Sequence, residues 1–141
     1  MSEEMHPLAK LLRDDPRYKI EAYQFVREGL DYAQEIMGFG ADDETEGDRE
    51  VSEDEKRRPA RHVTGGQLSH ALRKFAIDQY GLMAKLVLNS WGLRSTSDFG
   101  SIVYNLIEIG LMSKSKSDRR EDFDNVFDFD TAFVADFVIG K

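Results

Sequence analysis

His6, His62 and His70 are the only imidazoles in this 141-residue chain, so acid–base or metal chemistry would have to start from them. His6 lies near the amino terminus, and His70 falls on the polar side of a helical repeat with Arg73 and Lys74. His62, next to Thr64 and within reach of acidic neighbours, is the one constellation resembling a proton relay. A histidine so placed more often hydrogen-bonds within its own turn. No His-Glu-x-x-His pair, phosphate loop ending in Gly-Lys-Ser/Thr or nucleotide-binding glycine fingerprint occurs. Cysteine is absent, which excludes thiolate nucleophiles, thiolate metal sites and disulfides. Asp128 and Asp130 alternate along the chain, a pattern that suits cap or edge residues better than a general acid and base. The sequence therefore points to no catalytic residue, cofactor, metal or small-molecule ligand.

Basic side chains offer a different chemistry. Net charge is −8, yet residues 66 to 120 hold eight basic against four acidic residues. That segment is locally positive in an acidic protein, and a local field can select partners. Arg94, Lys114, Lys116, Arg119 and Arg120 are its candidate phosphate contacts.

The elements that must position these cations are three helical repeats. Leu68, Leu72, Phe75, Ala76, Ile77 and Tyr80 recur at three- and four-residue steps before Gly81. Met83, Leu86, Val87 and Trp91 repeat the pattern up to Gly92, so a tight turn joins two helices. Ser95-Thr96-Ser97-Asp98 can cap a third helix, which runs through Phe99, Ile102, Val103, Leu106 and Ile107 to Gly110. A polar stretch, Ser113 to Arg120, then reads as a hairpin loop. Phe123, Asn125, Phe127 and Phe129 alternate with Asp124, Val126, Asp128 and Asp130, the period of a half-buried strand. Three helices followed by a two-stranded ribbon with a basic tip predict a mainly α fold with a small β-ribbon, in the order of a winged helix.

Around this unit, residues 60–130, the chain predicts three further segments. Residues 1–40 form a helical segment: a short helix from Pro7 to Arg13, then a long amphipathic one after Asp14-Asp15-Pro16, with Ile20, Tyr23, Val26, Leu30, Ala33 and Met37 in one apolar stripe and Ala22, Phe25, Gly29, Tyr32 and Ile36 in another. Residues 41–59 are an acidic connector with too little apolar surface to offset its ordering entropy. Residues 131–141 are an apolar tail in which Phe133, Val134 and Phe137 could meet a partner or a second copy, or fold back on the core. The acidic start Met1-Ser2-Glu3-Glu4 has no long apolar run behind it, and no stretch is apolar enough to span a bilayer. A soluble cytoplasmic protein is expected.

The blocks Glu21 to Leu30, Arg61 to Gly65, Trp91-Gly92-Leu93 with Asp98-Phe99-Gly100, and Phe127 to Asp130 resemble a family of small uncharacterised bacterial proteins with no assigned activity. Ile102 to Leu111 is similar to the core pattern of winged helix-turn-helix domains. Such domains read DNA with the third helix. Here its outward positions would be Ser97, Asp98, Ser101, Tyr104, Asn105 and Glu108, none of them basic. A non-catalytic interaction module binding a protein partner or itself is therefore expected first, weak DNA binding second and an enzyme third.

Overall fold

The computed structural model describes residues 6–35 and 63–133. These residues form six α-helices: α1 (Pro7–Asp14), α2 (Ile20–Glu35), α3 (Gly65–Tyr80), α4 (Ala84–Ser90), α5 (Thr96–Glu108) and α6 (Phe129–Ala132), with 3-10 turns at Gly81–Met83 and Arg120–Phe123. Among the described residues there is no strand, so the fold is all-α. The acidic connector lies outside them.

Local chemistry sets the helix boundaries. Thr64 caps α3 by accepting from the Gln67 N–H at 3.1 Å, while the Gln67 side chain accepts from the Thr64 N–H at 3.0 Å. At the start of α5, Asp98 accepts from the Arg94 and Ser95 N–H groups at 2.8 and 3.2 Å. Gly92 separates α4 from α5 with φ at +101°. A Cβ there would stand 2.2 Å from the Arg17 carbonyl oxygen, so only glycine lets the two segments meet.

The core forms between α2, α3 and α5. Of the two apolar stripes of α2, Tyr23, Val26 and Ala33 of one and Ala22, Phe25 and Gly29 of the other are buried, Leu30 and Tyr32 are half-buried and Ile20 is exposed, while Ile36 and Met37 lie outside the described residues. The most extensive neighbour of α2 is α3, where Leu72 packs on Gly29 and the Phe25 and Phe75 ring centres lie 5.3 Å apart, and α5 packs on α2 as well. Phe99, Ile102 and Leu106 are fully buried on α5. In the second helical repeat the register differs from expectation. Ala84 and Leu88 are the buried positions of α4, whereas Met83 and Leu86 face solvent with Leu82.

The winged-helix reading is corrected where the ribbon was expected. Residues 111–118 form turns, in which Asp118 accepts from the Ser115 N–H at 2.9 Å. Phe123 closes a 3-10 turn, and Asn125 takes a left-handed conformation with φ at +53°, which breaks any extended run. Asp128 then caps α6, its carboxylate 3.0 Å from the Asp130 N–H. The alternation of aromatic and acidic residues has another cause. Phe127, Phe129 and Phe133 stack on one another with ring centres 5.0 to 6.1 Å apart, and Phe129 also meets Phe99 at 5.6 Å. The intervening aspartates have separate roles: Asp124 accepts from Ser97, Asp128 caps α6 and Asp130 pairs with Lys85. The segment covers α5 as a lid of rings and builds no sheet.

Candidate functional site

The first consequence of this packing concerns the third helix. Of its six expected outward positions, four are bonded into the fold. Asp98 accepts from the Tyr18 hydroxyl at 2.6 Å, and Asn105 donates to Asp15 at 3.1 Å and stands 3.1 Å from the Tyr23 hydroxyl oxygen. Ser97 donates to Asp124 at 2.7 Å, and Ser101 accepts from the Arg120 guanidinium. A fifth, Tyr104, has its hydroxyl oxygen buried. The helix packs against α2, α3 and the 3-10 turn at Arg120–Phe123.

The five candidate phosphate contacts do not converge. Arg120, though exposed, donates to Ser101, and the Lys114 ammonium donates to the neighbouring Ser115 carbonyl at 3.2 Å. Lys116 is exposed on the turn beyond α5. Arg94 precedes the opposite end of that 13-residue helix, about 20 Å away along its axis. That exceeds the range over which exposed charges act together at physiological salt.

The aromatic and histidine candidates are equally dispersed. Phe133 is buried with Phe127 and Phe129, while Val134, Phe137 and His62 lie outside the described residues. The His6 imidazole caps α1 by accepting from the Leu8 N–H at 3.0 Å, and His70 lies 5.5 Å from the Phe127 ring centre. Asp130 pairs with Lys85 at 3.1 Å. Among the described residues no cluster could hold a metal ion, and no helix is long and apolar enough to cross a membrane.

What the structure does bring together is a pocket of about 310 Å³ between α2, α3, α5 and the turn after α5. Its apolar wall is Leu30 of α2, Leu68 of α3, Val103 and Ile107 of α5, and Phe123. The Phe123 ring reaches that position because Gly100 has no side chain: a Cβ there would stand 2.9 Å from the Phe123 Cβ. Gln34, Tyr104, Ser113, Asp118, Arg119 and Asp122 supply the polar part of the lining. Apolar walls with a few convergent polar groups, in a volume near the lower end of ~300 to 1,000 Å³, are the usual make-up of a small-molecule site.

The polar groups differ in how far they are committed. Asp118 and Asp122 accept backbone N–H groups of Ser115 and Arg119 at 2.9 and 3.0 Å. The Tyr104 hydroxyl is buried with no hydrogen-bond partner, an arrangement that costs free energy. Burial pushes its pKa above the ordinary phenol value, and the carboxylates of Asp118, Asp122 and Glu121 push the same way against Arg120. It is a neutral hydroxyl at physiological pH, able to accept or donate.

No family model, curated protein or solved structure matches the chain. The functional reading therefore stands on this geometry. Sequence reasoning missed the pocket because its walls come from four separate elements. The one signal available was Tyr104, the single aromatic among the polar outward positions of the third helix.

Proposed function

We propose that the protein is a small non-catalytic interaction module whose recognition element is the pocket beside Tyr104. The observation that carries this reading is a cavity of about 310 Å³ with mainly apolar walls, whose lining also holds Tyr104, Asp118, Arg119 and Asp122. Recognition without chemistry is supported by the state of the lining: its two carboxylates hold backbone N–H groups, and neither described histidine lines it. The test is a titration of the isotope-labelled protein with single-ring aromatic compounds, followed at the backbone amides of Tyr104, Ile107 and Phe123. Saturable shifts at these amides, abolished by Met112→Trp, are expected. If no such compound moves them in a protein that stays folded, the pocket is not a binding site.

A protein partner is the second reading, favoured by a different feature. Leu82, Met83 and Leu86 are 74%, 52% and 60% exposed within five residues of sequence, an apolar ridge of the kind that marks association sites. If the partner is a second copy, sedimentation equilibrium shows a dimer that Leu82→Ser with Leu86→Ser dissociates. A strictly monomeric wild-type chain rejects self-association.

A further inference from the structure

A second cavity, of about 360 Å³, adjoins the pocket and is lined by Gln24, Arg27, Glu28 and Asp31 of α2 together with Leu30, Leu111 and Met112. The last three also line the first cavity, so the two share that boundary. Leu68, Val103, Ile107 and Phe123 belong to the first cavity alone, whereas the second adds an amide, a guanidinium and two carboxylates. Leu111 is fixed at the boundary by its N–H bond of 2.9 Å to the Leu106 carbonyl, made across Gly110 with φ at +83°. Met112 follows it, and an unbranched thioether side chain adapts its packing readily. The boundary is therefore where one molecule can enter both cavities.

On the reading of the first cavity as a ligand site, we propose that the two cavities together bind a single-chain amphiphile with an uncharged polar head. Its aliphatic chain lies against Leu68, Val103, Ile107 and Phe123, where branched aliphatic side chains outnumber the one ring. Its head passes Met112 and reaches Arg27, Glu28 and Asp31. Those three side chains are exposed and form no ion pair among the described residues. Arg27 stands within about one helical turn of both carboxylates. A head of either sign meets a like charge there, whereas an uncharged one that both donates and accepts can bond to all three.

Butanamide, hexanamide and octanamide carry one head on chains of growing length. Each is titrated into the isotope-labelled protein and followed at the backbone amides of Ile107, Met112 and Phe123. Affinity is expected to rise about fourfold per added methylene, the worth of about 0.8 kcal/mol of buried apolar surface. Isotope-filtered NOEs then locate bound octanamide, with its terminal methyl expected against Leu68 and Phe123 and its α-methylene against the Met112 methyl and the Arg27 side chain. Octanoate and octylammonium, on nearly the same chain, are expected to bind less tightly. Equal affinity of the three amides, or an octanamide head placed away from Arg27, overturns the two-cavity amphiphile, while saturable binding of single-ring compounds still leaves the first cavity a ligand site. An ion that binds as tightly as octanamide, or more so, overturns the uncharged head. Binding of neither the amides nor the ring compounds defeats both readings.

Discussion

The Asn105 side chain joins α5 to the turn between α1 and α2, its amide nitrogen 3.1 Å from Asp15 Oδ2 and 3.1 Å from the Tyr23 hydroxyl oxygen. Helical spacing alone places this residue on the outside of a DNA-reading helix. In the folded chain it is a partly buried cross-link between positions 90 residues apart. Replacing it with alanine removes a hydrogen bond to a charged acceptor and is expected to cost about 2 kcal/mol. Urea unfolding of Asn105→Ala measures the loss, and a midpoint equal to that of the wild type would show the link to be dispensable.

Gly92→Ala is expected to be among the most damaging single substitutions outside the core. The residue has φ at +101°, and the added carbon would meet the Arg17 carbonyl oxygen at 2.2 Å. Left-handed strain alone is worth roughly 1 to 2 kcal/mol, and displacing the backbone of Arg17 adds to it. The Lys19 N–H bond to the Trp91 carbonyl, 3.1 Å long, should weaken at the same time. Thermal unfolding gives the total, and faster hydrogen exchange at the Lys19 amide localises it.

Alkaline pH should test the Tyr18 to Asp98 bond. Burial first, then donation to Asp98, pushes the Tyr18 pKa up from 10.0 to about 12. A group whose folded pKa is raised contributes fully below its unfolded value, and the contribution is lost as pH rises through the folded one. Stability carried by Tyr18 should therefore hold below pH 10 and decline between pH 10 and 12. Tyr18→Phe should be less stable at neutral pH and show a shallower decline over that window. Parallel profiles for the two proteins would dismiss the link.

Tyr104→Phe is expected to separate stability from binding. Removing a buried hydroxyl that has no partner relieves a desolvation cost, so the variant should be as stable as the wild type or up to about 1 kcal/mol more so. Ser69, whose buried hydroxyl is also unpartnered but not in the pocket lining, gives the comparison: Ser69→Ala should share the gain in stability and, like Tyr104→Phe, leave ligand affinity unchanged. A loss of affinity in Tyr104→Phe alone would show that its hydroxyl reaches the ligand.

Much of the helical scaffold was legible in residue spacing. The two apolar stripes of α2, the Thr64 cap, the apolar face of α5 and the stop at Gly92 all follow from local rules that use neighbouring residues alone. The segment after Arg120 was not legible, because period-two alternation does not distinguish a strand from a chain of turns that delivers rings to one groove. What decides between them is whether a partner strand exists and whether Asn125 adopts positive φ, and neither is written in the alternation. The register of α4 was misread for a related reason. Leu86 and Leu88 are equally apolar, and only the position of α3 selects Leu88 for burial. The pocket depends on four elements meeting, so no single stretch announces it.

The lid of rings also bears on how the chain acquires its structure. A nascent polypeptide that has emerged only as far as Gly110 contains α2, α3 and α5, yet lacks the Phe123, Phe129 and Phe133 rings that cover α5. Until those residues leave the ribosome, the faces of Phe99 and Gly100 are open to water and to other chains. The core is complete only once the segment after Gly110 has been made, and until then the uncovered face of α5 invites aggregation.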